Sequence, residues 1–249
     1  MRLTLGWLLA LPLMGQGQFD FLITNARVYD GSGNAWYRAD VGVRDGSIAA
    51  IGTLKGAPAR EVIDAHGLAL APGFVDTHSH SRTAIFRLPQ AESYIRQGVT
   101  TIFEGPDGSS PIPLRPWLDK LAATRIAINW GMLAGHGSIR QKVMGTENRR
   151  ATPEELDQMR ALARQAMEDG AFGMSTGLFY VPGNYAPTEE VIELAKVVGA
   201  LGGIHTSHMR DEAADVVASV RETIRIGEEG HLPTQVTHHK IIGKGNWGR

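Results

Sequence analysis

The chain contains no cysteine in its 249 residues, so neither a disulfide framework nor a thiolate metal ligand is available to it. It has no excess charge of either sign: 25 Lys and Arg stand against 26 Asp and Glu, a formal net charge of -1. The longest basic run is Arg149-Arg150, which leaves no electrostatic footprint for nucleic acid or for an anionic membrane. Beyond the first residues no segment reaches about 18 consecutive apolar residues, the length a membrane-spanning helix needs. Any metal bound here must be held by histidine and carboxylate.

The amino terminus, "MRLTLGWLLALPLMGQGQFD", places Arg2 before an apolar core from Leu3 to Met14 and small residues at Gly15 and Gly17. That is the layout of a secretory signal peptide over residues 1–17, and it predicts export to a periplasmic or secreted location. The alternative is a buried terminal strand or helix. Residues 18–70 then alternate apolar and polar side chains, with turn signals at Asp30-Gly31 and Asp45-Gly46. A small antiparallel β-module is expected there.

The stretch "PGFVDTHSH" carries His78 and His80 one residue apart at the end of an apolar run. Side chains two apart on a strand share a face, so the two imidazoles should converge while Thr77 and Ser79 point away. A solvated polar face would explain such a pair equally well. The apolar "LALAPGFV" before it favours a strand buried on both sides, as in a parallel sheet.

From residue 71 onward short apolar segments alternate with helical ones. "GFVDTHS", "VTTIFEG", "RIAINWG", "AFGMSTG", "GIHTSH" and "PTQVTHH" read as strands beginning near residues 74, 99, 126, 171, 203 and 234, a mean spacing of 32. Thr152-Pro153-Glu154-Glu155 has the form of a helix start, with Gly170 as its stop, and a second helix is expected from about Glu212 to Glu229. Such alternation builds a parallel sheet with right-handed crossovers. Eight units of this spacing occupy roughly 250 residues, the usual size of a (β/α)8 TIM-type barrel; about six are present.

Active sites of that fold lie at the carboxyl ends of the strands. His78 and His80 end the first strand, Glu104 and Asp107 follow the second, His208 ends the fifth, and His238 and His239 end the sixth. Four of six strands finishing in possible ligands point to a metal site of the His and carboxylate type. His205, three before His208, is expected in the core. His136 in "AGHGSIR" stands on a glycine loop, where substrate contact and plain loop chemistry are both open. His66 and His231 read as structural or exposed, and His239 as supporting His238 from the opposite side.

Taken with "PGFVDTHSH", the motifs "QGVTT", "GHGSIR", "GAFGMSTGLFYVPG", "SHMRDE" and "THHKIIGKGNWGR" resemble those of the N-acyl-D-amino-acid deacylases (D-aminoacylases), a branch of the amidohydrolase superfamily. The resemblance covers Phe19 to Arg249. It implies a metal-dependent hydrolase barrel, apparently incomplete here, with a small N-terminal β-sandwich module. It implies one or two Zn²⁺ and hydrolysis of the amide of an N-acyl-D-amino acid, the cation acidifying a water and polarising the carbonyl. His78, His80, His208 and His238 match the histidine ligands, and Lys240 a lysine that contacts the substrate carboxylate. The best-known members place a cysteine ligand where this chain has Asp107, so Asp107 is expected to bridge, with Glu104 as the competitor.

Arg210 is expected to pair with a carboxylate, of the substrate or of Asp211 or Glu212. Phe179, Tyr180 and Met174 are expected to line an apolar substrate pocket. The resemblance also implies a catalytic aspartate after an eighth strand, which this sequence does not reach, so the chain reads as the amino-terminal part of a longer enzyme. Related activities stay open: another amide hydrolase such as a D-amino-acid dipeptidase, or a non-catalytic metal-binding paralogue. The expected partner is a small N-acyl-D-amino acid, with no nucleic acid and no membrane in the mature form.

Overall fold

The computed structural model describes residues 18–248. The expected signal peptide therefore lies outside the described residues. The chain divides into two compact units, Met1–Pro72 and Gly73–Arg249.

The first unit is one mixed sheet of β1 (Phe19–Val28), β2 (Tyr37–Arg44), β3 (Ser47–Gly52), β4 (Ala59–Asp64) and β5 (Ala69–Leu70). Strands β1, β2 and β3 pair antiparallel as the alternation implied. Asp45 and Gly46 both take positive φ, +51° and +71°, which is the geometry that lets a two-residue hairpin follow the right-handed twist of its strands. The remaining strands differ from the all-antiparallel expectation. After β3 the chain crosses to the far side of β1, so β4 and β5 run parallel to it. Ala26, Val28 and Val41 form the small buried core.

The second unit carries a six-stranded, wholly parallel sheet: β6 (Phe74–Ser79), β7 (Val99–Glu104), β8 (Asn129–Gly135), β9 (Gly173–Gly177), β10 (Ile204–His208) and β11 (Thr234–Val236). Spatial order follows chain order without reversal. That is the order of a barrel wall; an open doubly wound sheet changes direction at a switch point. Helices α1 (Glu92–Ile95), α2 (Arg115–Thr124), α3 (His136–Met144), α4 (Pro153–Asp169), α5 (Thr188–Ala200) and α6 (Val216–Gly230) occupy the crossovers.

Local chemistry explains the helix ends. Thr152 accepts from the Glu155 amide while the Glu155 carboxylate accepts from the Thr152 amide, so both termini of a capping box are satisfied at the start of α4. Gly170 closes that helix with φ +115°, as a glycine stop should. Helix α6 starts at Val216 rather than near Glu212, because the Asp211 carboxylate takes the amides of Ala213 and Asp215 into a turn first.

Two strand readings are corrected. Strand β8 begins three residues later than expected and continues through "NWGMLAG", since Ile126 and Ile128 are used as packing residues ahead of it. Strand β6 is not buried on both sides; it is an edge strand with Phe74 and Val75 exposed. The principal core lies under the helices, where Met132, Ile139, Met159, Met174, Val191, Leu194 and Ile226 are almost fully buried. This packing holds the carboxyl ends of the parallel strands side by side.

Candidate metal centre

Four histidines converge on Asp107. The His78 and His80 side chains do share a face, with their Nε2 atoms 3.1 Å apart. Asp107 Oδ2 lies 3.4 Å from His78 Nε2 and 3.2 Å from His80 Nε2. Asp107 Oδ1 lies 3.7 Å from His208 Nδ1 and 3.6 Å from His238 Nε2. One carboxylate thus faces imidazoles from β6, β10 and the end of β11, and Oδ1 is buried with no hydrogen-bond partner. A buried carboxylate oxygen without a donor is costly. The donor set of four imidazoles and one carboxylate, at carboxyl strand ends, has the composition of a divalent-metal site, and His78, Asp107 and His238 present ligand atoms within 4.8 Å of one another.

Burial favours the ligating, neutral form of two of these imidazoles. Burial pushes His78 below the ordinary histidine range against the opposing pull of Asp107, and burial does the same at His208 against Glu212 and Asp107. A neutral imidazole offers a lone pair to a cation.

Glu104, the competitor, lies elsewhere. It ends β7 almost fully buried, and its Oε2 accepts from the amides of Ser81 at 2.6 Å and Arg82 at 3.1 Å. Burial raises its pKa, opposed by the amides of Gly105 and Ser81. Its work is to hold the chain immediately after His80. Tyr94 adds to this, its hydroxyl lying 2.8 Å from Ser79 Oγ and 2.6 Å from Ser81 Oγ.

Glu212 is the residue that sequence reasoning underused, having placed it only as a possible mate for Arg210. It is buried, its Oε1 lies 2.9 Å from His238 Nδ1, and its Oε2 accepts from Lys240 Nζ at 2.6 Å. With His208 and His238 it forms a second cluster of ligand atoms within 4.8 Å. The available signal was its spacing, four residues after His208 in "SHMRDE". Lys240 Nζ also approaches His238 Nδ1 at 3.3 Å.

Arg210 meets a carboxylate, but neither of its neighbours. Its guanidinium holds both oxygens of Glu222 on α6, at 2.7 and 2.9 Å, and the carbonyls of Asn184 and Ala186 at 3.0 Å. Those contacts use its donors to tie the loop after β9 to α6. Tyr180 lies beside His208 with ring centroids 4.6 Å apart and planes inclined at 54°, and Phe179 lies at 5.8 Å. Both rings remain substantially exposed, whereas Met174, expected beside them, is sealed in the core.

The other histidines divide clearly. His136 opens α3 directly and is fully buried against Glu190 at 3.1 Å, so it contacts no open site. Arg140, also fully buried, pairs with the other oxygen of Glu190. Burial alone would raise Glu190, yet the hydrogen bonds and charges of His136 and Arg140 hold it below the usual carboxylate range. His205 is a core residue bonded to Thr176, pushed down to about 3 by burial and by the neighbouring His136. His239, His66 and His231 are exposed, His66 beside Asp64 at 3.5 Å.

A six-stranded parallel wall with this ligand cluster at its carboxyl ends defines a class, and the comparison agrees. The profile of the amidohydrolase family matches residues 61–240. The chain belongs to that family. The D-aminoacylase of Alcaligenes xylosoxydans xylosoxydans is 41% identical over 254 residues, covering 93% of this chain and 52% of the relative. A solved D-aminoacylase with a binuclear metal centre superposes with a TM-score of 0.88 at 37% identity, covering 93% of this chain and 54% of that one. The N-acyl-D-glutamate deacylase of Bordetella bronchiseptica, solved with zinc and a phosphonate that mimics the tetrahedral intermediate of its reaction, superposes with a TM-score of 0.88 at 38% identity, covering 94% and 54%. The chain spans about half the length of these relatives.

Proposed function

We propose that this chain belongs to a zinc-dependent deacylase that hydrolyses the amide bond of N-acyl-D-amino acids. The observation that carries the reading is the convergence of His78, His80, His208 and His238 on the single carboxylate of Asp107. The similarity to proteins named for D-aminoacylase and N-acyl-D-glutamate deacylase supplies the substrate class.

In this reading those four histidines and Asp107 hold one or two zinc ions. Zinc bound there supplies Lewis acidity toward water and toward an amide carbonyl. The protein does the rest by placement. Glu104 fixes the chain after His80, Glu212 Oε1 lies 2.9 Å from His238 Nδ1, and Lys240 Nζ stands 2.6 Å from Glu212 Oε2, ready to exchange that partner for a substrate carboxylate. Phe179 and Tyr180 present an apolar wall beside His208 for the side chain or acyl group. Arg2, the apolar segment to Met14 and the small residues after it support export to the periplasm or beyond.

The test begins with metal. The folded protein should bind one or two Zn²⁺, Asp107→Asn should weaken binding by about 10- to 100-fold or more, and Glu104→Gln should weaken it less. Zinc affinities in the reverse order would transfer the ligand role to Glu104. With zinc bound, amide cleavage should release the D-amino acid from its N-acetyl derivative in preference to the L enantiomer; equal release from both enantiomers would overturn the substrate assignment.

A further inference from the structure

The turn that carries Asp107 is wedged and strained. Asp107 sits in the left-handed region at φ +54°, between Gly105 at +84° and Gly108 at +77°. Asp tolerates that conformation better than most residues, but it still costs backbone energy relative to glycine, so contacts that hold the turn matter. Neighbouring backbone approaches so closely that a Cβ on Gly105 would lie 2.4 Å from the Leu133 carbonyl oxygen, and one on Gly177 would lie 2.1 Å from that of Asp107. The turn therefore cannot slide between β8 and β9. The Gly108 carbonyl also accepts from the Ser138 amide at 3.0 Å, but that bond does not tie Gly108 to Gly105.

Ser175, in the middle of β9 and fully buried, ties them. Its Oγ accepts from the Gly108 amide at 3.0 Å and donates to the Gly105 carbonyl at 2.5 Å. One hydroxyl thus closes both ends of the four-residue turn. Of the Asp107 carboxylate oxygens, Oδ1 is buried without a hydrogen-bond partner, and among the described residues Oδ2 meets only the imidazoles of His78 and His80. Its direction is inherited from the backbone.

We propose that Ser175 is a positioning residue for the metal site: by stapling Gly105 to Gly108 it holds Asp107 in its left-handed conformation, with the carboxylate between the imidazoles of His78, His80, His208 and His238. The inference rests on the metal-site reading above and extends it to a residue that touches neither metal nor substrate. Thr176, its neighbour on β9, faces the other way. Thr176 Oγ1 bonds His205 and Ser207 and makes no hydrogen bond to the turn.

That alternation provides the control. Zinc dissociation constants are measured by competition with a chromophoric chelator for wild type, Ser175→Ala, Thr176→Val, Asp107→Asn and the double variant Ser175→Ala/Asp107→Asn, with thermal unfolding of each. Ser175→Ala should weaken zinc binding by about 10- to 100-fold. Thr176→Val should lower the melting temperature with zinc affinity within about threefold of wild type. In the Asp107→Asn background, Ser175→Ala should add little further loss, since the effect passes through Asp107. Ser175→Cys keeps the size with a weaker donor and should fall between; it serves as the test if the alanine variant does not fold.

If zinc binds and Asp107→Asn weakens it while Ser175→Ala leaves it unchanged, the metal-site reading stands and the positioning role is wrong. Additive losses in the double variant, or equal losses in Thr176→Val, also overturn it. A wild-type protein that binds no zinc removes the metal-site reading and this inference with it.

Discussion

Lowering the pH from 7 to 5 should cost the barrel unit about 2 kcal/mol through His205 alone. The side chain is fully buried, Thr176 Oγ1 lies 2.9 Å from Nε2, Thr234 Oγ1 lies 3.5 Å from Nδ1, and beside burial the neighbouring His136 also disfavours its protonation. Its folded pKa is about 3, against an ordinary value of 6.5. A histidine lowered in this way contributes stability that is fully present above 6.5 and is lost as the pH falls toward 3, because only the unfolded chain takes up the proton. Between pH 7 and 5 the unfolded imidazole goes from mostly neutral to nearly all charged while the folded one stays neutral, which integrates to about 2 kcal/mol. Any folded value below about 4 gives nearly the same loss, since pH 5 lies above it. The assay is urea unfolding of wild type and His205→Asn at both pH values. The variant starts less stable, but its loss between pH 7 and 5 should be smaller than that of wild type by this amount. Equal losses in the two proteins would show that His205 can be protonated in the folded state, and would refute the burial argument.

Two further outcomes follow from buried charges. Glu190→Gln removes the carboxylate that Arg140 is paired with inside the core, and should destabilise the protein by about 3–5 kcal/mol in denaturant unfolding; a loss below about 1 kcal/mol would mean that Arg140 finds another partner or water. Glu212→Gln should loosen both His238 and Lys240, lowering zinc affinity by about 10- to 100-fold, whereas an unchanged affinity would restrict Glu212 to holding Lys240.

Spacing and strand-end chemistry made much of this protein legible in one dimension. His78 and His80 had to share a face because the strand period is two, and His208 and His238 could be singled out because they end apolar segments. The capping box at Thr152 and the glycine stop at Gly170 were equally plain, since both are determined by residues within a few positions of each other. The choice between Asp107 and Glu104 was not local. Both follow the same strand, and only the geometry shows one carboxylate among imidazoles and the other on the Ser81 and Arg82 amides.

Contacts between distant segments were decided by tertiary structure alone. Arg210 is followed at once by Asp211 and Glu212, yet it pairs with Glu222, twelve residues on in α6. His136 and Glu190 are 54 residues apart, and Ser175 is 67 from Gly108. Periodicity says which face of an element a side chain occupies; it carries no information on which other element lies against that face. That depends on how helices pack on the sheet and how closely glycine backbones approach, and it is at this level that the turn bearing Asp107 acquires its place.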